Sequence, residues 1–201
     1  MKRILLVFAL VGITASLFAQ DSGRKGFIGI SMGPSIPVGD FADKSFTSAN
    51  AGFAKTGATF NLVNFGYKFG QNFGIVGSWF GSANNVDIQG VDGTWSYGGL
   101  MGGPMLSMPV SDRIDFDLKA MIGFASARLK IKDNGETSGT GAGFQFGGTL
   151  RYNFSEKWCM VINADYFASK QKFDKLDPST DNFNQNIAAI NLTFGVAYRL
   201  K

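Results

Sequence analysis

Histidine is absent from this 201-residue chain, and cysteine occurs once, at Cys159. The first absence removes the usual general base of hydrolytic enzymes, together with His-ligated zinc and haem sites, and no cofactor is expected. The second excludes an intramolecular disulfide framework, so Cys159 is read as a small lumen-side or wall residue. Charged residues amount to only 17% of the chain. After the first twenty residues no run of 18 apolar residues occurs, so no spanning helix is predicted.

Residues 1–20 read as a signal peptide, with Lys2 and Arg3, an apolar stretch from Ile4 to Val11, and small residues Ala15, Ser16 and Ala19 before Gln20 and Asp21. Its removal leaves 17 basic against 15 acidic residues. That near balance gives no support to a nucleic-acid partner. Residues 21–201 form a single expected domain.

What the chain has in abundance is alternation. In 113–125, 142–154, 158–168 and 190–200 the even positions carry Phe116, Ile122, Phe124, Phe144, Phe146, Ile162, Leu192 and Phe194, without a charge among them. The odd positions carry Asp115, Asp117, Lys119, Arg151, Asp165 and Arg199, interleaved mainly with small residues. Successive side chains of a strand point to opposite faces, so one face is oily and the other polar. Volume decides which face is inside: an eight-stranded barrel is barely filled by ordinary side chains, and the ten aromatic rings on the even face would not fit. Tyr152, Trp158 and Tyr198 lie near the short-turn ends, where an interfacial aromatic girdle belongs. A cation facing lipid at mid-depth costs about 2–4 kcal/mol, which accounts for the uncharged even face.

The predicted fold class is all-β: an eight-stranded antiparallel up-and-down transmembrane β-barrel with short periplasmic turns and longer external loops. The earlier strands are expected at 26–39, 57–69, 73–83 and 95–108, with a β-bulge near Leu62. Long loops are expected at 40–56, 84–94, 131–141 and 169–185. Gly98, Gly99, Gly102 and Gly103 leave the facing of the third and fourth strands open.

On these strands and turns, the chain resembles the small eight-stranded outer-membrane barrels, a group that includes OmpX, the membrane domain of OmpA and PorT-like proteins. The resemblance implies an outer-membrane location in a Gram-negative bacterium. It also implies surrounding lipid, the barrel-insertion machinery and an external protein as partners. Thr193, Gly195, Tyr198 and Leu200 fit the terminal insertion signal of such barrels, with Leu200 and Lys201 departing from the usual aromatic end.

Candidate chemistry is weighed against plainer roles. Asp115 and Asp117 share a face, as an acid pair would, yet a hairpin centred near Glu136 puts them roughly opposite Arg151 and Asn153, with Lys119 following. A lumen salt-bridge network of Asp115, Asp117, Lys119, Arg151, Asp165 and Arg199 is therefore expected. The Gly139 to Gly143 run is expected to be external loop rather than a phosphate cradle. Asp174, Asp177 and Asp181 are read as solvated acids, and Phe41, Phe46, Phe53, Phe173 and Phe183 as loop aromatics that pack together. The expected function is structural, adhesive or accessory to a larger complex, without enzymatic activity and without wide porin conductance. One alternative is a soluble lipocalin-like carrier with an apolar pocket of Phe116, Phe144 and Leu192. The other is a lipid-modifying enzyme.

Overall fold

The computed structural model describes residues 25–48, 50–132, 135–173 and 183–201. Residues 1–20, read as a signal, and Asp174, Asp177 and Asp181 lie outside the described residues. Eight strands follow in chain order: β1 (Gly26–Pro37), β2 (Gly57–Lys68), β3 (Phe73–Asn85), β4 (Gly93–Ser111), β5 (Ile114–Ile131), β6 (Gly135–Tyr152), β7 (Trp158–Phe173) and β8 (Phe183–Leu200). Each pairs antiparallel with its sequence neighbours. The ring closes through β1 and β8, from Gly26 opposite Leu200 to Pro37 opposite Ala189. Closure leaves no unpaired strand edge, the condition for a β-structure to cross a bilayer.

The alternation places the oily face outward. Phe146, Ile162 and Phe194 are 52%, 50% and 52% exposed, while Asp117 and Arg151 are 0% and 5% exposed. Such an inverted distribution is favourable only where hydrocarbon surrounds the wall. It overturns the carrier alternative, because Phe144 and Leu192 point out of the barrel and Phe116 is only half-buried, so these three enclose no internal pocket.

Wall height is uneven. Strands β1 to β3 have 12, 12 and 13 residues, whereas β4 to β8 have 16 to 19. Eighteen residues rising about 3.3 Å each and tilted by about 45° stand roughly 15 Å taller than a ~25 Å apolar band. Three of the four long loops are correspondingly shorter than the sequence suggested, while the first, between Pro37 and Gly57, is not. The Gly139 to Gly143 run lies inside β6, and β5 and β6 pair up to Ile131 opposite Gly135. Polar strand residues beyond the lipid band read as loop because nothing oily marks their outer face. The bulge expected near Leu62 is present: the β2–β3 register shifts between Asn61 and Val63.

Candidate functional site

The bore is filled in three tiers. Nearest the short turns, β5 presents Asp115 and Asp117, and β6 presents Arg151. Arg151 Nε donates to Asp117 Oδ2 at 2.6 Å and its Nη2 to Asp117 Oδ1 at 3.0 Å, a two-pronged pair. The same guanidinium reaches Ser107 Oγ at 3.1 Å and lies 3.5 Å from Asp115 Oδ2. Asn153 Nδ2 donates to Asp115 Oδ2 at 2.8 Å. The guanidinium carbon sits 4.8 Å from the ring centre of Phe27, a cation–π contact. The β5–β6 register corrects the expected hairpin centre: Ile131 opposes Gly135, so Asp115 faces Arg151 and Asp117 faces Thr149.

In the middle tier Lys119 Nζ lies 3.0 Å from Asp165 Oδ1, with both side chains 2% exposed. Asn163 is the hub. Its Oδ1 accepts from Thr149 at 2.6 Å, Asn64 at 3.1 Å and Lys119 at 3.3 Å. Its Nδ2 donates to Thr193 Oγ1 at 2.9 Å and Ser31 Oγ at 3.2 Å. Strands β1, β2, β5, β6, β7 and β8 are thus tied through one amide. Buried charge at this depth is tolerable because the two charges are joined and Lys119 also donates to Asn163.

The outer tier is aromatic. Phe80, Tyr97 and Phe167 cross the bore, with Tyr97 stacked on Phe167 at 5.4 Å and 13°. Gly39 adopts a φ of 59°, opening a 3₁₀ turn, Gly39–Phe41, that carries Phe41 into the mouth. There Phe41 is 0% exposed, 5.7 Å from the Tyr97 ring and 5.8 Å from Trp95. Trp95 contacts Phe173, which stacks on Phe183 at 5.0 Å. Phe46 and Phe53 pair with each other instead, at 4.9 Å.

Arg199 lies half-buried at the end of β8, where its Nη1 donates to Ser155 O at 3.3 Å. Thr193 faces the bore, Gly195 packs against the backbone of Ile30 and Ser31, and Tyr198 and Leu200 complete β8. Tyr152, Trp158 and Tyr198 face outward at the short-turn end, with Trp158 and Tyr198 edge to face at 5.4 Å. Sequence reasoning missed Asn163 as a hub and Phe80, Trp95, Tyr97 and Phe167 as bore residues. The odd positions of 95, 97 and 167 were the available signal.

Above the lipid band the surface is ionic. Lys55 pairs with Asp87 at 2.7 Å and Lys44 pairs with the same carboxylate. Donation from Lys44 and then from Lys55 holds the Asp87 carboxyl below its ordinary range. A groove of about 650 Å³ beside this cluster is lined by Lys55, Lys130, Lys132 and Asp92, with Lys132 3.5 Å from Asp92. Among the described residues no group of three or more metal-ligating side chains is brought together.

Residues 5–199 match the profile of the outer membrane protein beta-barrel domain. The fold is similar to that of Ail, the attachment invasion locus protein of Yersinia pestis, at 19% identity and a TM-score of 0.52, covering 88% of this chain and 99% of that one. It is similar also to Neisserial surface protein A, at 10% identity and a TM-score of 0.56, covering 87% and 97%. Comparison with curated proteins returns no match. The expectation of no enzymatic activity is corrected: the solved structures to which this chain is similar include the outer membrane protease OmpT of Escherichia coli, at 7% identity and a TM-score of 0.45.

Proposed function

The chain belongs to the outer membrane protein beta-barrel domain family, and from that premise we propose a sealed barrel that acts at its outer rim by holding an anionic polymer on a facing surface. The carrying observation is the groove of Lys55, Lys130 and Lys132 with the single acid Asp92, raised above the lipid band by the tall strands. Clustered ammonium groups attract polyanions and speed their capture. The bore offers no competing role as a wide pore, since Arg151, Lys119, Asn163 and Phe41 reach across it. Ail of Yersinia pestis has been solved in complex with the heparin analogue sucrose octasulfate, at 20% identity and a TM-score of 0.53 to this chain. The lysine groove carries the reading here, independent of that likeness.

Residues 1–20 act as the cleaved signal in this reading, and Thr193, Gly195, Tyr198 and Leu200 supply the segment recognised by the insertion machinery. The test pairs two measurements. Purified protein in planar bilayers is expected to give no steady conductance, and on immobilised heparin it is expected to be retained, with retention lost in Lys130→Gln/Lys132→Gln. Steady solute-selective current, or heparin retention unchanged in the variant, would overturn the proposal.

A further inference from the structure

We propose that the outward face of β5 to β8 holds an acyl chain of a net-anionic outer-leaflet lipid, in a groove whose upper lip is Lys170. The register builds it. One rung across the wall runs Ile122, Phe144, Ala168, Ala188, so bulk on β5 and β6 gives way to two methyl groups on β7 and β8. The rung nearer the membrane centre runs Ala120, Phe146, Tyr166, Ile190 and restores the bulk. The notch is closed below and open above, where Lys170 stands opposite Asn186.

A separate feature deepens it. The pairing of β6 with β7 is interrupted between Thr140 opposite Lys172 and Gly143 opposite Ser169. Ser169 Oγ instead donates to Ala142 O at 2.7 Å. Gly143, Ser169 and Ile187 belong to the inward-facing set, yet they line this outward groove of about 820 Å³. That volume lies within the range of small-molecule sites. Flexible hydrocarbon suits the apolar floor.

The lip selects the headgroup. Lys170 and Lys172 project from the same face of β7, about 7 Å apart along the strand. Asp40 also reaches the lip, where Asn186 Nδ2 donates to its carboxylate at 2.7 Å. Among the described residues no carboxylate pairs with Lys170. Of the two lysines, Lys170 lines the groove, and its ammonium favours an anionic headgroup about fivefold.

Native mass spectrometry of the full chain, released from micelles containing equal mole fractions of lipid A and phosphatidylcholine, tests the assignment. Wild type is expected to retain one lipid A about fivefold over phosphatidylcholine. Lys170→Gln is expected to bring that ratio close to one. Ala188→Leu, which fills the notch, is expected to release both lipids, while Ala164→Leu, elsewhere on the outer face of β7, retains them. Unboiled gel mobility certifies closure of each variant, and Ala168→Val replaces Ala188→Leu if the latter does not close. Equal retention of the two lipids by wild type, no retention at all, or wild-type retention in the notch-filled variant would each overturn the proposal.

Discussion

The indole N–H of Trp95 donates to the carbonyl of Gly52 at 2.8 Å, fastening the first outer loop to the inner wall of β4. The bond lies beside Phe41, so it holds the aromatic plug in the mouth. Trp95→Phe keeps a ring and removes the donor. The buried Gly52 carbonyl then lacks its partner, at a cost of about 1–3 kcal/mol. We expect faster protease cleavage within residues 42–56 in intact cells, with the barrel itself unchanged in unboiled gel mobility. Equal cleavage rates would place the loop's anchorage elsewhere.

Arg151 and Asp117 make the second prediction. Arg151→Met strands two buried carboxylates, which costs about 3–5 kcal/mol. The triple variant Asp115→Asn/Asp117→Asn/Arg151→Met removes the charges together and is expected to recover more than half of the loss. The readout is the urea concentration that unfolds the barrel in liposomes. A triple variant no better than the single one would show that the contact geometry matters more than the unpaired charge.

Acid should loosen the rim. The folded pKa of Asp87 is lowered by Lys44 and Lys55, so its contribution is full above the unfolded carboxylate value of about 3.9 and is lost as pH falls through the lower folded value. Hydrogen exchange of residues 50–56, corrected for intrinsic rates, is expected to be constant from pH 7 to about 5 and to accelerate below about 4. Asp87→Asn flattens that profile. Because the pair is exposed, 1 M salt weakens the protection at neutral pH.

A tight approach gives the fourth. The Phe27 ring lies over Gly66, where an added Cβ would meet Phe27 Cε1 at 2.5 Å. Gly66→Val is expected to destabilise the barrel by about 1–3 kcal/mol through overpacking. Adding Phe27→Leu, which shortens the obstructing side chain, restores part of it. Thermal shift of the folded gel band measures both.

Parity makes β5 to β8 legible in the sequence, because a bilayer on one side and a narrow bore on the other leave each residue a single tolerable face. It identified Asp115, Asp117, Lys119, Arg151 and Asp165 as inward residues, yet it carries no information on height along the axis. Arg199 has the same parity but sits at the end of β8, where it donates to Ser155 O. Asn163 looks in sequence like any other small polar residue, and only the stagger of six strands converts it into a hub. In β3 and β4 glycine dilutes the pattern, so the inward rings of Phe80 and Tyr97 could not be separated from lipid-facing ones. Phe41 enters the mouth from a loop, where alternation does not apply.

The unequal strands give the outward-facing end a slant. A body drifting in the plane of the membrane toward β5 or β6 strikes a stiff, hydrogen-bonded parapet. One arriving over β1 and β2 meets the folded segment that stoppers the bore. The molecule therefore has a front and a back, and neighbours pressed against it are sorted by the side from which they come.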